Sequence, residues 1–325
     1  VTTDRPQARG VTGHAPGKVI LTGEHAVVYG YAAVAIPLHN LKARASVAPA
    51  SPGCGTMIVA SDLRQHTRLQ NPSPPMQPLA QAVALALKAT GQDEEPDWIL
   101  QMRSQIPVAR GLGSGAAVCC ALVRAVSQAT GCALELEVQN QIVHASEMLL
   151  HGSPSGIDNL TVVHGLPLYF RKGHAPQFFQ PRQKSAFLLA DTGISAPTAA
   201  AVAKVARLKR EKPQVVEGWM QEIGEISGAV FQAMTRSGPA ELGPLLNANQ
   251  ELLRRLGVSA VAHEKLIQAA LEAGAPAAKV TGAGLGGHVL VLAPKSAATR
   301  ISQALRAAGA MAVWSVQWQM PALAV

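Results

Sequence analysis

Residues Ile106–Arg124 read IPVARGLGSGAAVCCALVR. Pro107 opens the stretch, and Gly111, Gly113 and Gly115 follow within five residues. Glycines this close together let the backbone turn sharply and bring its N–H groups near a ligand, because no Cβ intervenes. The alanine-rich run from Ala116 reads as a helix. The turn would then sit at a helix N-terminus, where unpaired amides and the macrodipole favour phosphate. On these residues alone two readings stay open: a phosphate cradle, or a small-residue turn that lets a helix pack tightly.

The 325 residues allow roughly two domains. A hydrophobic content of 48% with 15% charged residues is ample for a core and argues against disorder. No apolar run approaches the ~18 residues of a membrane helix, and the N-terminus VTTDRPQARGVTG is polar, so a cytoplasmic protein with no membrane association is expected. The net charge of +8 suits an anionic partner. The one basic cluster, Lys204, Arg207, Lys209, Arg210 and Lys212, has no interleaved aromatics, and aromatics total only 4%. The cluster is therefore read as a solvated helix face, and no nucleic-acid partner is expected. Cys54, Cys119, Cys120 and Cys132 show no metal-binding spacing. Cys119 and Cys120 are expected to pack as small hydrophobes.

Upstream, VIL and AVAI within His14–Leu38 read as short strands bounded by Gly or Pro. Lys18 lies in PGKV, but a P-loop would need Gly at Thr12 and Ser or Thr at Val19. Lys18 reads most simply as an exposed lysine beside a strand, and Glu24–His25 as a polar turn. Short strands follow to Arg68, then a helix over Leu79–Thr90 closed by Gly91, and a strand over Trp98–Arg103. Downstream, a helix over Glu137–Leu150 carries Glu147, whose simplest reading is an exposed helical carboxylate. Asp158 in HGSPSGIDN suits a helix N-cap or an Asx turn. Leu160–Tyr169 reads as a hairpin turning at His164–Gly165, with His164 and His151 in turns or at the surface. Lys172–Lys184 is the expected connection between domains spanning 1–183 and 184–325. Beyond it AFLLAD reads as a strand, and Thr198 closes the DTGISAPT loop before a helix. Helices are expected over Gln214–Ser237, Ala240–Leu256, Ser259–Ala273 and Ser296–Ala308, with a last strand over Ala312–Trp318.

Gly282, Gly284 and Gly287 match GxGxxG, yet a dinucleotide fold is excluded. That fingerprint needs a following helix and an acidic residue about 20 positions on, whereas here the strand HVLVLA follows and no Asp or Glu occurs after Glu272. Three glycine segments, a lysine and two carboxylates are what phosphoryl transfer requires: amides and a cation for phosphate, a carboxylate for Mg²⁺, and a group for the acceptor hydroxyl. Residue types and spacing support a nucleotide-dependent kinase and go no further.

PGKVILTGEHAVVYG, IPVARGLGSGAA and KVTGAGLGG resemble, in order and separation, the three motifs of the GHMP kinases, named for galactose, homoserine, mevalonate and phosphomevalonate. With HGSPSGIDN, DTGISAPT and NANQELLRRLGVS, the chain is most similar to the branch acting on mevalonate, from about residue 13 to 293. The resemblance implies an α+β protein with a ribosomal S5 domain 2-like N-terminal domain, a ferredoxin-like C-terminal domain, and ATP and Mg²⁺ as cofactors. Its expected activity is phosphorylation of the mevalonate 5-hydroxyl, a step toward isoprenoid precursors. Asp158 would correspond to the carboxylate that takes the hydroxyl proton, and Lys18 to the lysine that orients that hydroxyl. Glu147 would bind Mg²⁺, with Ser114 as a second oxygen. Pro107, Gly111, Leu112, Gly113, Ser114, Gly115 and Ala116 would line the ATP phosphates, with Gly282 and Gly284 of the third motif. Glu24, His25 and Thr198 would lie near the acceptor.

Two positions depart from the pattern. The family usually carries Ser-Ser after GLG, and the second serine is Gly115 here. Ala196 stands where animal members acting on mevalonate tend to have an arginine near the substrate carboxylate. Phosphomevalonate or a related alcohol as acceptor, and a non-catalytic ATP-binding homologue, remain the alternatives. The sequence does not fix the oligomeric state; a homodimer is one option.

Overall fold

The computed structural model describes residues 11–108, 110–152, 154–182, 186–237 and 241–316. They divide into two compact units interleaved along the chain. One takes the segments ending at Gly17, from Leu41 to Ile106, and from Gly113 to His164. The other takes Lys18–Asn40, Pro107–Leu112 and the chain from Gly165 onward. The expected boundary between residues 183 and 184, and the end of the last expected strand at Trp318, lie outside the described residues, as does the side chain of His151. Strands β1 (Val11–Thr22) and β2 (Ala33–Pro49) have residues in both units.

In the first unit, β3 (Met57–Ala60) and β4 (Gln65–Arg68) form an antiparallel hairpin, and β5 (Trp98–Ser104) runs parallel to β3. The other edge of β5 pairs antiparallel with β2, Ala43 opposite Ser104 through Pro49 opposite Trp98. Four helices pack on one another: α1 (Gln77–Ala89), α2 (Ser114–Thr130), α3 (Leu136–His151) and α4 (Ile157–His164). Helix α2 is buried without interruption from Ala116 to Val123, on every face. A helix apolar all round must be a central one, and its Ala and Cys side chains are small enough for neighbours to close in. Cys119 and Cys120 are fully buried here, and burial pushes the Cys120 thiol up to about 11.

The hairpin expected over Leu160–Tyr169 does not form, because Ile157–His164 is helix α4. The β-branched run Thr161–Val163 favours a strand in isolation. Packing decides otherwise, with Thr161, Val162 and Val163 buried and Thr161 Oγ1 donating to the Ile157 carbonyl at 2.7 Å. Arg124 of α2 gathers the unit: Nη2 donates to the Val163 carbonyl at 2.6 Å, Nη1 to the His14 carbonyl at 2.7 Å, and Nε to Gln139 Oε1 at 3.0 Å.

In the second unit, β6 (Leu168–Phe170) pairs with β2, Ala33 opposite Phe170, and with the short β7 (Gln177–Phe178). A separate antiparallel sheet has the order β11-β8-β10-β9, from β8 (Phe187–Asp191), β9 (Ala277–Thr281), β10 (His288–Leu292) and β11 (Ala312–Val316). Helices α7 (Leu242–Arg255), α8 (Val261–Glu272) and α9 (Ala298–Ala307) cover its strands. A first strand flanked by the fourth and third is the ferredoxin-like order the resemblance implies. Helices α5 (Thr198–Glu211) and α6 (Pro213–Gln232) pair with each other. The basic cluster on α5 is not wholly a solvated face. Lys204 Nζ donates to the Gly257 carbonyl at 2.6 Å, and Lys209 pairs with Glu217 at 2.6 Å and lies 4.1 Å from the Tyr29 ring centroid. Among the described residues no helix is long and apolar enough to cross a membrane.

Arg124→Met keeps the stem but leaves two backbone carbonyls without their donor. It is expected to destabilise by about 2 kcal/mol, measured by urea unfolding.

Candidate active site

In the second unit the first glycine motif is fastened to the other two. Lys18 is 3% exposed, so its reading as an exposed lysine is corrected. Its amide donates to the Leu112 carbonyl at 2.9 Å and its Nζ to the Gly111 carbonyl at 3.0 Å. One residue thereby holds two consecutive carbonyls of the second-motif loop. Gly111, at φ +78°, sits so close to the third motif that a Cβ on it would lie 3.4 Å from the Gly282 Cα. The positive φ, rather than the contact, is what favours glycine there.

Glu24 and His25 are likewise buried rather than a solvated polar turn. Glu24 Oε1 accepts from Lys279 Nζ, and both side chains are fully enclosed. Burial pushes the Glu24 carboxyl up, opposed by the Lys279 and Lys18 charges, and pushes the Lys279 ammonium down, opposed by Glu24. Among the described residues, Glu24 Oε2 and Thr22 Oγ1 are buried without a hydrogen-bond partner. Buried oxygens of that kind suit a hydroxyl-bearing ligand. His25 sits at φ 63°, a strained position for a side chain of its size. Its Nε2 donates to the Ala283 carbonyl at 2.9 Å, and Thr281 Oγ1 donates to the Ile20 carbonyl at 2.8 Å. Gly282 and Gly284 both have positive φ in this third loop. Thr198 is exposed in the first turn of α5, and Ala196 lies in the loop before it.

In the first unit the second-motif loop becomes helix α2. Gly113 is its N-cap at φ 68°, Ser114 its first residue, and no side chain among the described residues caps it. The opening amides therefore keep their hydrogen-bonding capacity for something else. Glu147 is 2% exposed, which corrects its reading as an exposed helical carboxylate. A Cβ on Gly115 would stand 2.8 Å from Glu147 Oε1 and 2.9 Å from Leu150 Cδ1. The missing side chain at 115 and the buried carboxylate are thus neighbours. Asp158 is half-buried in the first turn of α4, inside the helix rather than at its cap.

Sequence reading missed Lys279, Arg110, Asp191 and His288. Lys279 carried a signal, since a lysine inside the apolar run AAKVT must find a buried partner. Arg110 pairs with Asp191, and the His288 Nδ1 donates to the Arg110 carbonyl at 3.0 Å. Those partners are 81 and 178 residues apart in sequence, and no local pattern connects them.

Lys279→Met strands a buried carboxylate and is expected to cost about 3–5 kcal/mol. Glu24→Gln in the same chain should recover part of that loss in urea unfolding. Burial lowers the His25, His263 and His288 imidazoles below their usual 6.5. Below pH 6.5 the unfolded chain then binds more protons than the folded one, so stability falls with falling pH. The expected loss is up to about 1.4 kcal/mol per pH unit for each histidine until its folded value is passed. Thermal unfolding at pH 7.5 and 5.5 measures it.

Residues 78–165 match the family described as GHMP kinases N terminal domain, and residues 230–310 match GHMP kinases C terminal. The chain is 31% identical over 320 residues to the mevalonate kinase of Thermococcus sibiricus, covering 93% of this chain and 95% of that one. The Methanococcus jannaschii mevalonate kinase structure superimposes with a TM-score of 0.83 at 22% identity, covering 97% and 100% of the two chains. The L. major mevalonate kinase in complex with R-mevalonate gives a TM-score of 0.81 at 25% identity, covering 98% and 100%. With its glycine loops built as described and matches of this extent to both halves, the chain belongs to the GHMP kinase family.

Proposed function

We propose that the protein transfers the γ-phosphoryl group of ATP to the 5-hydroxyl of (R)-mevalonate, forming 5-phosphomevalonate and ADP, with Mg²⁺ as its metal. The observation that carries this reading is the buried Glu147 carboxylate at the uncapped N-terminus of α2. A helix N-terminus reached through a glycine turn suits phosphate. Mg²⁺ is commonly held by one or two carboxylates together with substrate phosphates, so Glu147 fits as its protein anchor. When bound, the ion would neutralise charge on the phosphates. Ser114, at the first helical position, would add an oxygen or hold a water. Gly115 brings none, so the metal rests more heavily on Glu147 than in relatives with a second serine.

For the chain's own residues the proposed roles follow their positions in the motifs. Asp158 accepts the proton of the acceptor hydroxyl as the O–P bond forms. Lys18, held by the Gly111 carbonyl, orients that hydroxyl and favours its ionised form. The amides from Gly111 to Ala116 take the phosphates, together with Gly282 and Gly284 of the third motif. Glu24, His25 and Thr198 contact the acceptor. Mevalonate as the acceptor is supported by the relative from Thermococcus sibiricus named mevalonate kinase and by the likeness to the L. major complex. The second reading is a related alcohol or phosphomevalonate; Ala196, which has no charge to offer a substrate carboxylate, favours an alcohol without one.

ADP release with MgATP over a panel of mevalonate, 5-phosphomevalonate and related alcohols decides between them. Mevalonate should give the highest kcat/KM, and ADP release no faster with it than without acceptor would sink the proposal. Asp158→Asn should lower turnover by several orders of magnitude while thermal unfolding stays close to wild type.

A further inference from the structure

We propose that Arg110, Asp191 and His288 are positioning residues for the ATP-binding loop, gripping it from the four-stranded sheet so that it meets nucleotide already in shape. The inference rests on reading Gly111–Ala116 as the phosphate loop. Its geometry lies entirely within the second unit.

Arg110 is held at both ends. Its Nη1 donates to Asp191 Oδ2, and its carbonyl accepts from His288 Nδ1 at 3.0 Å. Asp191 and His288 are directly opposite each other on the adjacent strands β8 and β10. Both are buried, Asp191 at 2% and His288 at 0% exposure. Asp191 Oδ1 is also used, accepting from the Gly193 amide at 2.8 Å. Because a carbonyl can only accept, the His288 proton resides on Nδ1. Its Nε2 is then bare and buried, with no hydrogen-bond partner among the described residues. The backbone closes in from the same side: a Cβ on Gly287 would stand 3.1 Å from the Arg110 carbonyl, and Thr192 donates to the Gly287 carbonyl through both its amide and its hydroxyl.

The next residue is Gly111, whose carbonyl holds Lys18 Nζ, and then Leu112, whose carbonyl holds the Lys18 amide. One peptide unit separates the grip of the sheet from the lysine. Gly111 and Gly113, at φ 78° and 68°, give this segment little conformational stiffness of its own. An anchor immediately before them removes freedom that nucleotide binding would otherwise have to remove. Arg110 keeps 18% side-chain exposure, so its loss does not open a cavity in the core.

Asp191→Asn keeps Oδ1 for the Gly193 amide and turns an amide toward Arg110. A loosened loop should raise the KM for ATP and the calorimetric Kd for MgATP about tenfold, with the KM of the alcohol acceptor within twofold and Tm close to wild type. Arg110→Lys, which keeps the charge, should fall between wild type and Arg110→Met; this pair decides the matter if Asp191→Asn does not fold. Unchanged ATP affinity, or equal rises in both KM values, overturns the inference while leaving the kinase reading intact. A wild-type protein without affinity for MgATP overturns both.

Discussion

The ion pair between Glu24 and Lys279 is the contact on which the second unit's arrangement depends. An ammonium with no solvent exposure costs several kcal/mol unless a counter-charge sits against it, so β9 can occupy its place only if the end of β1 delivers a carboxylate there. Once that condition is met, the neighbouring contacts follow within a few residues: Thr281 on Ile20, and His25 on Ala283. The strained backbone at His25 is tolerated because burial and the Ala283 carbonyl both fix the ring. First and third motifs, more than 250 residues apart, are thereby brought into register.

The second motif joins them by a different physical means. Its contacts with Lys18 and His288 run largely through backbone carbonyls, and Gly111 beside Gly282 holds a positive φ that favours glycine. The carbonyls of Arg110, Gly111 and Leu112 are taken by His288 and Lys18, and no side chain among the described residues caps the opening amides of α2. At Gly115 the place of a side chain is already taken, since a Cβ would stand 2.8 Å from Glu147 Oε1 and 2.9 Å from Leu150 Cδ1.

Matches at this level of identity extend over nearly the whole chain and establish scaffold and family, while the acceptor is selected by a few side chains. Ala196 and Thr198 lie on the loop before α5 and at its first turn, outside the buried framework of ion pairs and backbone contacts.

By itself the sequence determined the elements with strong local signals. The helix after Gly113, the closure of α1 at Gly91, the strand after the third glycine loop and the rejection of a dinucleotide fold all follow from spacing and turn chemistry. The resemblance added the two-domain α+β architecture and identified Lys18, Glu147 and Asp158 as residues worth locating. Tertiary structure decided the rest. Thr161–Val163 became helix rather than strand because burial outweighs β-propensity. Lys18 and Glu24 went inside against the Gly111 carbonyl and Lys279, and Glu147 against Gly115 of α2, surroundings of which local sequence holds no record. Lys279, Arg110, Asp191 and His288 acquired their roles only when residues distant in the chain met, for an electrostatic or backbone contact has no periodicity to read.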